Sequence, residues 1–256
     1  MSRKKKSIPK TLFIVFLIIV AVANVIYYIT YFFYHPSHVT YPAFGIEMPQ
    51  NYFLHGIDVS RYQQVINWKD VKDMEVKNIK IGFVFIKATE GVDKVDEQFR
   101  RNWQQAEKQN IPKGAYHYLI AGKSGKLQAD NFMEIVKLKK GDLPPVLDIE
   151  EANGRSVIEV RKNIWDWLKN VESVYDVKPI IYTHLSFYNT YLKGVFDDYP
   201  FWIAHYLQPD KPGINRKWIF WQHSESGHVN GIKSNVDFNV FSGDSTVFKD
   251  LLIKQP

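Results

Sequence analysis

The sequence predicts an α/β fold: an irregular (β/α)5β3 barrel of the TIM type, preceded by one N-terminal transmembrane helix. Three observations carry this reading. Eight short β-branched or aromatic runs recur from residue 55 onward. Segments of helical periodicity follow the earlier runs, while only short Pro-, Gly- and Asn-rich stretches separate the last three. A 23-residue stretch without a charged side chain, Leu12 to Tyr34, comes before all of them.

The N-terminal stretch explains the charge. The 256 residues hold 33 Lys and Arg against 27 Asp and Glu, a net +6. Five of the bases (Arg3, Lys4, Lys5, Lys6, Lys10) lie in the first ten residues, which contain no acid. The remainder is nearly neutral and lacks the electrostatic footprint of a nucleic-acid binder. As a helix, Leu12–Tyr34 spans about 34 Å, enough to cross a hydrocarbon core. The basic run before it places the N-terminus in the cytoplasm and the rest outside. Tyr27, Tyr28, Tyr31 and Tyr34 crowd the far end, where amphipathic rings suit the membrane–water interface. Ala21-Val22-Ala23 offers a competing reading, a signal peptide cleaved near Ala23 to give a secreted form. Apolar residues continue for eleven positions beyond that site, longer than a signal sequence needs, which favours a retained anchor. The expected organisation is a basic cytoplasmic tail (1–10), a membrane anchor (11–34), a proline-containing linker (35–50) and an exported catalytic barrel (51–256).

Within the exported part the runs fall at 55–60, 81–88, 114–119, 144–150, 179–184, 201–206, 218–224 and 236–241. Several are apolar on both parities, as strands covered on both faces require. The first four gaps hold about 20–28 residues. In 96–109, Phe99, Trp103 and Ala106 share a helix face; in 157–174, Val160, Ile164, Trp167, Leu168 and Val171 form one stripe. The fifth gap suits a short helix around Ser186–Leu192. The next two, of 11–12 residues, are too short for a crossover helix. A doubly wound open sheet is the alternative, but His55-Gly56-Ile57-Asp58-Val59-Ser60 is not a glycine-rich phosphate turn.

Acidic residues fall where a barrel does its chemistry, at the C-terminal ends of the strands. Asp58, Glu90, Asp148, Glu150 and Asp237 all lie at or in such runs. Asp148 and Glu150 are two apart on a strand, so they share a face, and neighbouring carboxylates push their acidities apart. One can hold a proton while the other stays ionised, the division of labour that glycosidic cleavage needs. Each acid also has a plainer reading: Asp148 and Glu150 as a cap plus a solvated acid, Asp58 as a loop fastener, Asp237 as half-exposed, Glu90 as structural or at the rim. The eight histidines lie apart and form no HExxH, so no metal is expected. No GxSxG supports a serine nucleophile, and the absence of cysteine removes a thiol nucleophile and a disulfide framework.

These residues resemble the family 25 glycoside hydrolases, the Chalaropsis-type lysozymes. The match runs through Gly56-Ile57-Asp58-Val59-Ser60 with Tyr62-Gln63, Lys87-Ala88-Thr89-Glu90-Gly91, then Asp96 and Phe99. It continues through Gly114-Ala115-Tyr116-His117-Tyr118, Pro145 to Glu150, and Ile181-Tyr182-Thr183. Trp202 to Tyr206, Trp221-Gln222 and Val236-Asp237-Phe238-Asn239 complete it. The pieces are weak singly; their order over about 185 residues is specific. The resemblance implies cleavage of the β-1,4 bond between N-acetylmuramic acid and N-acetylglucosamine in peptidoglycan, with no metal or organic cofactor; a monomer is expected, although nothing in the sequence fixes the oligomeric state. It implies Glu150 as general acid, Asp148 as its assistant, and Asp58 and Asp237 completing an acidic cleft. Tyr62, Tyr118, Tyr182 and Trp221 are the aromatic candidates for contacting sugar. Asn67 stands where an acid is common, at a helix start, and Tyr118 replaces a frequent Phe. Retention by the substrate's acetamido group, a carboxylate nucleophile and an inverting water all stay open. So do an inactive glycan-binding barrel and an N-acetylglucosaminidase or chitinase.

Overall fold

The computed structural model describes residues 10–34 and 38–254. The basic tail, apart from Lys10, and residues 35–37 of the expected linker lie outside the described residues. Helix α1 (Lys10–Tyr34) carries a 22-residue span, Lys10–Tyr31, with a mean hydropathy of 2.8 and none of it buried against the rest of the protein. Tyr27 stacks on Tyr31 at 6.1 Å, near its end.

Residues 38–49 correct the expected tether. They form an antiparallel hairpin, β1 (His38–Tyr41) and β2 (Ile46–Pro49), in which Tyr41, Phe44, Ile46 and Met48 are buried. Phe44 meets the ring of Phe238 at 5.3 Å, and its carbonyl accepts the His228 N–H at 2.8 Å. The reason lies in the barrel. Its last strands are joined by segments too short to lay a helix on their outer face, so the hairpin covers the apolar surface left there.

The barrel strands follow: β3 (His55–Val59), the two-residue β4 (Glu75–Val76), β5 (Ile79–Glu90), the two-residue β6 (Lys94–Val95), β7 (Lys113–Tyr118), β8 (Val146–Asp148), β9 (Ile180–His184), β10 (Phe201–Ala204), β11 (Phe220–Gly227) and β12 (Val236–Phe241). Parallel pairing runs from β3 through β5, β7, β8, β9 and β10 to β11. Antiparallel β12 then joins β11 to β3 and closes the cylinder, which excludes the open doubly wound sheet.

Helices α2 (Trp68–Asp73), α3 (Phe99–Lys108), α4 (Gly125–Ile135) and α5 (Val157–Tyr175) occupy the four long gaps. Asn67 caps α2 by accepting the Lys69 N–H, and Ser156 with Glu159 forms a capping box on α5. The fifth gap holds one helical turn, α6 (Leu185–Phe187), running into a π-helical turn at Tyr188–Leu192. The final helix, α7 (Ser245–Leu251), plugs the end of the barrel where the parallel strands begin: Phe248 packs on Phe83 at 5.7 Å and Phe241 at 5.2 Å.

Alternation divides the core in two. Phe83, Phe85, Val146, Ile180, Trp202 and Phe220 fill the cylinder, while Val84, Ile86, Leu147, Ile181 and Ile203 meet the outer layer. The interior rings need room. A β-carbon at Gly56 would lie 2.4 Å from the Phe83 ring, and one at Gly114 would lie 2.6 Å from that of Phe85. Those two glycines are therefore packing requirements of an aromatic barrel core. With one end plugged, the cylinder opens only at the C-terminal ends of its parallel strands.

Candidate active site

At that open end lies a cleft with two adjoining lobes of about 410 and 250 Å³. Both lobes are lined by Asp58, Tyr116, Asp148, Glu150 and Asp237. Three strands thus bring the four predicted acids to one place: Asp58 near the end of β3, Asp148 at the end of β8, Glu150 two residues on, and Asp237 at the start of the reversed strand β12. Asp58 and Asp237 are cross-strand partners.

Asp58 sits in a network whose direction can be read from its ends. The Tyr182 and Tyr206 hydroxyls donate to Gln222 Oε1 at 2.8 and 2.7 Å. That leaves Gln222 Nε2 to donate to Asp58 Oδ2 at 2.9 Å. On the other side, the Trp202 indole N–H donates to Asn239 Oδ1 at 2.7 Å, and Asn239 Nδ2 donates to the same Asp58 oxygen at 2.8 Å. Burial pushes the pKa of Asp58 up, and the two amides and a hydrogen bond from Asp237 pull against it. Burial, then the charge of Asp58, raises Asp237 further, to about 9, and the hydrogen bond between the two raises Asp237 while lowering Asp58. The proton of this pair therefore rests on Asp237, which donates to Asp58.

Asp148 and Glu150 form a second pair. Burial raises both, and more so for Asp148, which the Glu150 charge also pushes up while Lys87 pulls it down. They are hydrogen-bonded to each other, and that bond raises Asp148 and lowers Glu150, so the proton they share rests on Asp148, which donates to Glu150. Asp148 is the deeper of the two, and its Oδ1 is buried without a hydrogen-bond partner. Glu150 is half-buried and faces the open lobes.

Lys87 Nζ binds Glu90 at 2.8 Å and lies 4.8 Å from the centre of the Tyr118 ring. Burial alone would raise Glu90, but Lys87 and Lys94 outweigh it and hold the carboxyl down at about 2. Glu90 is a fixed anion on the cleft wall.

Of the aromatic candidates, Tyr62 and Tyr118 line the larger lobe and Tyr182 the smaller. Trp221 is a correction. It is fully buried, donates its indole N–H to the His205 carbonyl at 2.8 Å and packs on Tyr52 and Trp218, away from both lobes. Its neighbour Gln222 occupies the inward parity. Trp202, Tyr206, Gln222 and Asn239 were not expected as site residues, although strict alternation along β10, β11 and β12 marks Trp202, Gln222 and Asn239 as inward-facing. Among the described residues, no group of three or more His, Asp or Glu has metal-holding geometry.

The profile of "Glycosyl hydrolases family 25" matches residues 57–232. This chain is a family 25 glycosyl hydrolase. As such it is a glycosidase, and its relatives fit that membership. The uncharacterized protein YegX of Escherichia coli K12 is 46% identical over 218 residues, covering 84% of this hydrolase and 78% of YegX. Lysozyme M1 of Streptomyces globisporus is 35% identical over 209 residues, covering 74% and 68% of the two chains. A solved family 25 glycosyl hydrolase from Bacillus anthracis superposes with a TM-score of 0.73 at 32% identity, covering 84% of this chain and 97% of that one.

Proposed function

We propose that this family 25 hydrolase is a membrane-anchored muramidase that cleaves the β-1,4 bond between N-acetylmuramic acid and N-acetylglucosamine in peptidoglycan. The coarser statement, a lysozyme-like peptidoglycan hydrolase, follows from the family and its lysozyme relatives. The observation that carries the finer one is the Asp148–Glu150 pair: one shared proton, a half-buried Glu150 and a buried Asp148 with an unused acceptor oxygen.

In this reading Asp148 passes the proton of the pair to Glu150, the more accessible member, which delivers it to the leaving glycosidic oxygen and leaves Asp148 ionised. The acetamido group at C2 of the sugar attacks the anomeric carbon from the opposite face. Asp148 Oδ1 accepts the acetamido N–H and stabilises the positive charge that spreads over that group, so configuration is retained. Water then opens the intermediate with Glu150 acting as base. Ionised Asp58, held by its two amide donors, adds negative potential beneath the cationic ring, and neutral Asp237 keeps that charge in place. Tyr62 and Tyr118 offer ring faces to sugar C–H groups. Helix α1 anchors the enzyme with its barrel outside the cytoplasm.

Mass spectrometry of muropeptides released by the purified full chain tests this. A muramic acid reducing end of β configuration, trapped before mutarotation, is expected. An N-acetylglucosamine reducing end would replace muramidase by glucosaminidase, and saccharide binding without new ends would leave only a binding protein.

A further inference from the structure

Glu150 lies two residues past the end of β8, so no strand partner holds its carbonyl. The last ladder contact is the Ile149 N–H donating to the Tyr182 carbonyl at 3.1 Å. Beyond it, a side chain takes over: His184 Nε2 stands 3.1 Å from the Glu150 carbonyl oxygen. His184 is the final residue of the neighbouring strand β9 and also the N-cap of α6.

The other ring nitrogen decides which way this contact runs. His184 Nδ1 lies 3.2 Å from the backbone N of Phe187 and 2.8 Å from Ser186 Oγ. A backbone N–H can only donate, so Nδ1 accepts and the ring proton resides on Nε2. The helical turn thus fixes the tautomer, and the tautomer makes Nε2–H a donor to Glu150.

We propose that His184 is the positioning residue for Glu150: through Nε2–H it fixes the peptide from which the proton-donating carboxyl hangs, and the capping of α6 by Nδ1 sets the ring for that task. This rests on Glu150 being the proton donor. A carboxyl on an unpaired strand extension needs such a brace, because catalytic geometry tolerates displacements well under an ångström.

Two substitutions separate the ring's functions. His184→Asn keeps an acceptor for the Phe187 N–H but reaches no further, so capping survives and the Glu150 contact is lost. His184→Gln gives up the cap but carries an amide N–H to the Nε2 position. For the detergent-solubilised full chain on soluble peptidoglycan fragments, His184→Asn is expected to lower kcat at least about tenfold, with KM within about twofold. His184→Gln is expected to recover most of that loss. A wild-type kcat in the Asn variant, or a Gln variant as slow as the Asn one, overturns the proposal. Crystal structures of wild type and His184→Asn give a readout independent of turnover: the Glu150 carboxyl should leave Asp148, and an unmoved carboxyl also overturns it. A wild-type enzyme that releases no muropeptides, with the carboxyl displaced in the variant, would sink the muramidase reading alone.

Discussion

Asp58 and Asp237 stand directly opposite each other across β3 and β12, the seam where the one reversed strand closes the barrel. Antiparallel neighbours bring side chains closer than the staggered ends of parallel strands do. Two carboxyls forced together there cannot both ionise, and the amides of Gln222 and Asn239 select Asp58 as the charged one.

The pH dependence of stability follows. Asp237 is raised to about 9 in the fold, against roughly 3.9 in an unfolded chain. The fold keeps a proton that the unfolded chain releases, so this contribution is full below pH ~4 and is lost as pH rises towards 9. Asp237→Asn still donates to Asp58 but does not titrate. Its melting temperature relative to wild type should therefore climb by several degrees between pH 5 and pH 8. Calorimetry at both values checks this, and a constant difference refutes it.

Gln222 joins two phenols to Asp58, so its loss is felt at buried Tyr182 and Asp58 and at half-buried Tyr206. Gln222→Leu should cost about 2–3 kcal/mol in denaturant unfolding and lower kcat more than it raises KM. A variant as stable as wild type would mean that the network does not constrain the barrel.

Glu150→Gln keeps shape and hydrogen bonding but carries no transferable proton. Clearing of peptidoglycan should fall by at least about 100-fold with the melting temperature nearly unchanged. Residual activity near wild type would remove Glu150 from its role.

The hairpin should be part of the folded unit. Phe44 is fully buried on Phe238, so Phe44→Ala should destabilise by about 3 kcal/mol in urea titration. A loose tether would show no loss.

Cell fractionation tests the anchor. The mature chain is expected in the membrane pellet, resistant to carbonate and released by detergent, with Leu12–Tyr34 intact. A soluble exported form beginning at Asn24 would show cleavage instead.

Much of the barrel was legible because buried parallel strands and amphipathic helices alternate with distinct periods, and the gap lengths marked where helices stop. The acids were legible because Asp148 and Glu150 share a parity. What failed has physical causes. In β11 both faces are covered, so Phe220 and Trp221 look alike in sequence; the polar Gln222 carries the inward parity, and its partners Tyr182, Tyr206 and Asp58 show that this parity meets the cleft. The strands at 38–41 and 46–49 are four residues each and interrupted by Pro42, too short to show a period. Their burial depends on a bare patch of barrel wall that no local pattern announces. The brace at His184 is equally silent, because it depends on a turn that follows the strand.

The hairpin also fixes how far the enzyme can reach. Tyr34 ends α1 and His38 already pairs on the barrel side. Four backbone steps separate them, which bounds the distance at ~15 Å. If α1 is held in a bilayer as proposed, the hairpin that opens the barrel starts within that distance of the lipid. On that proposal, glycan laid down near the membrane is the polymer such a tether favours.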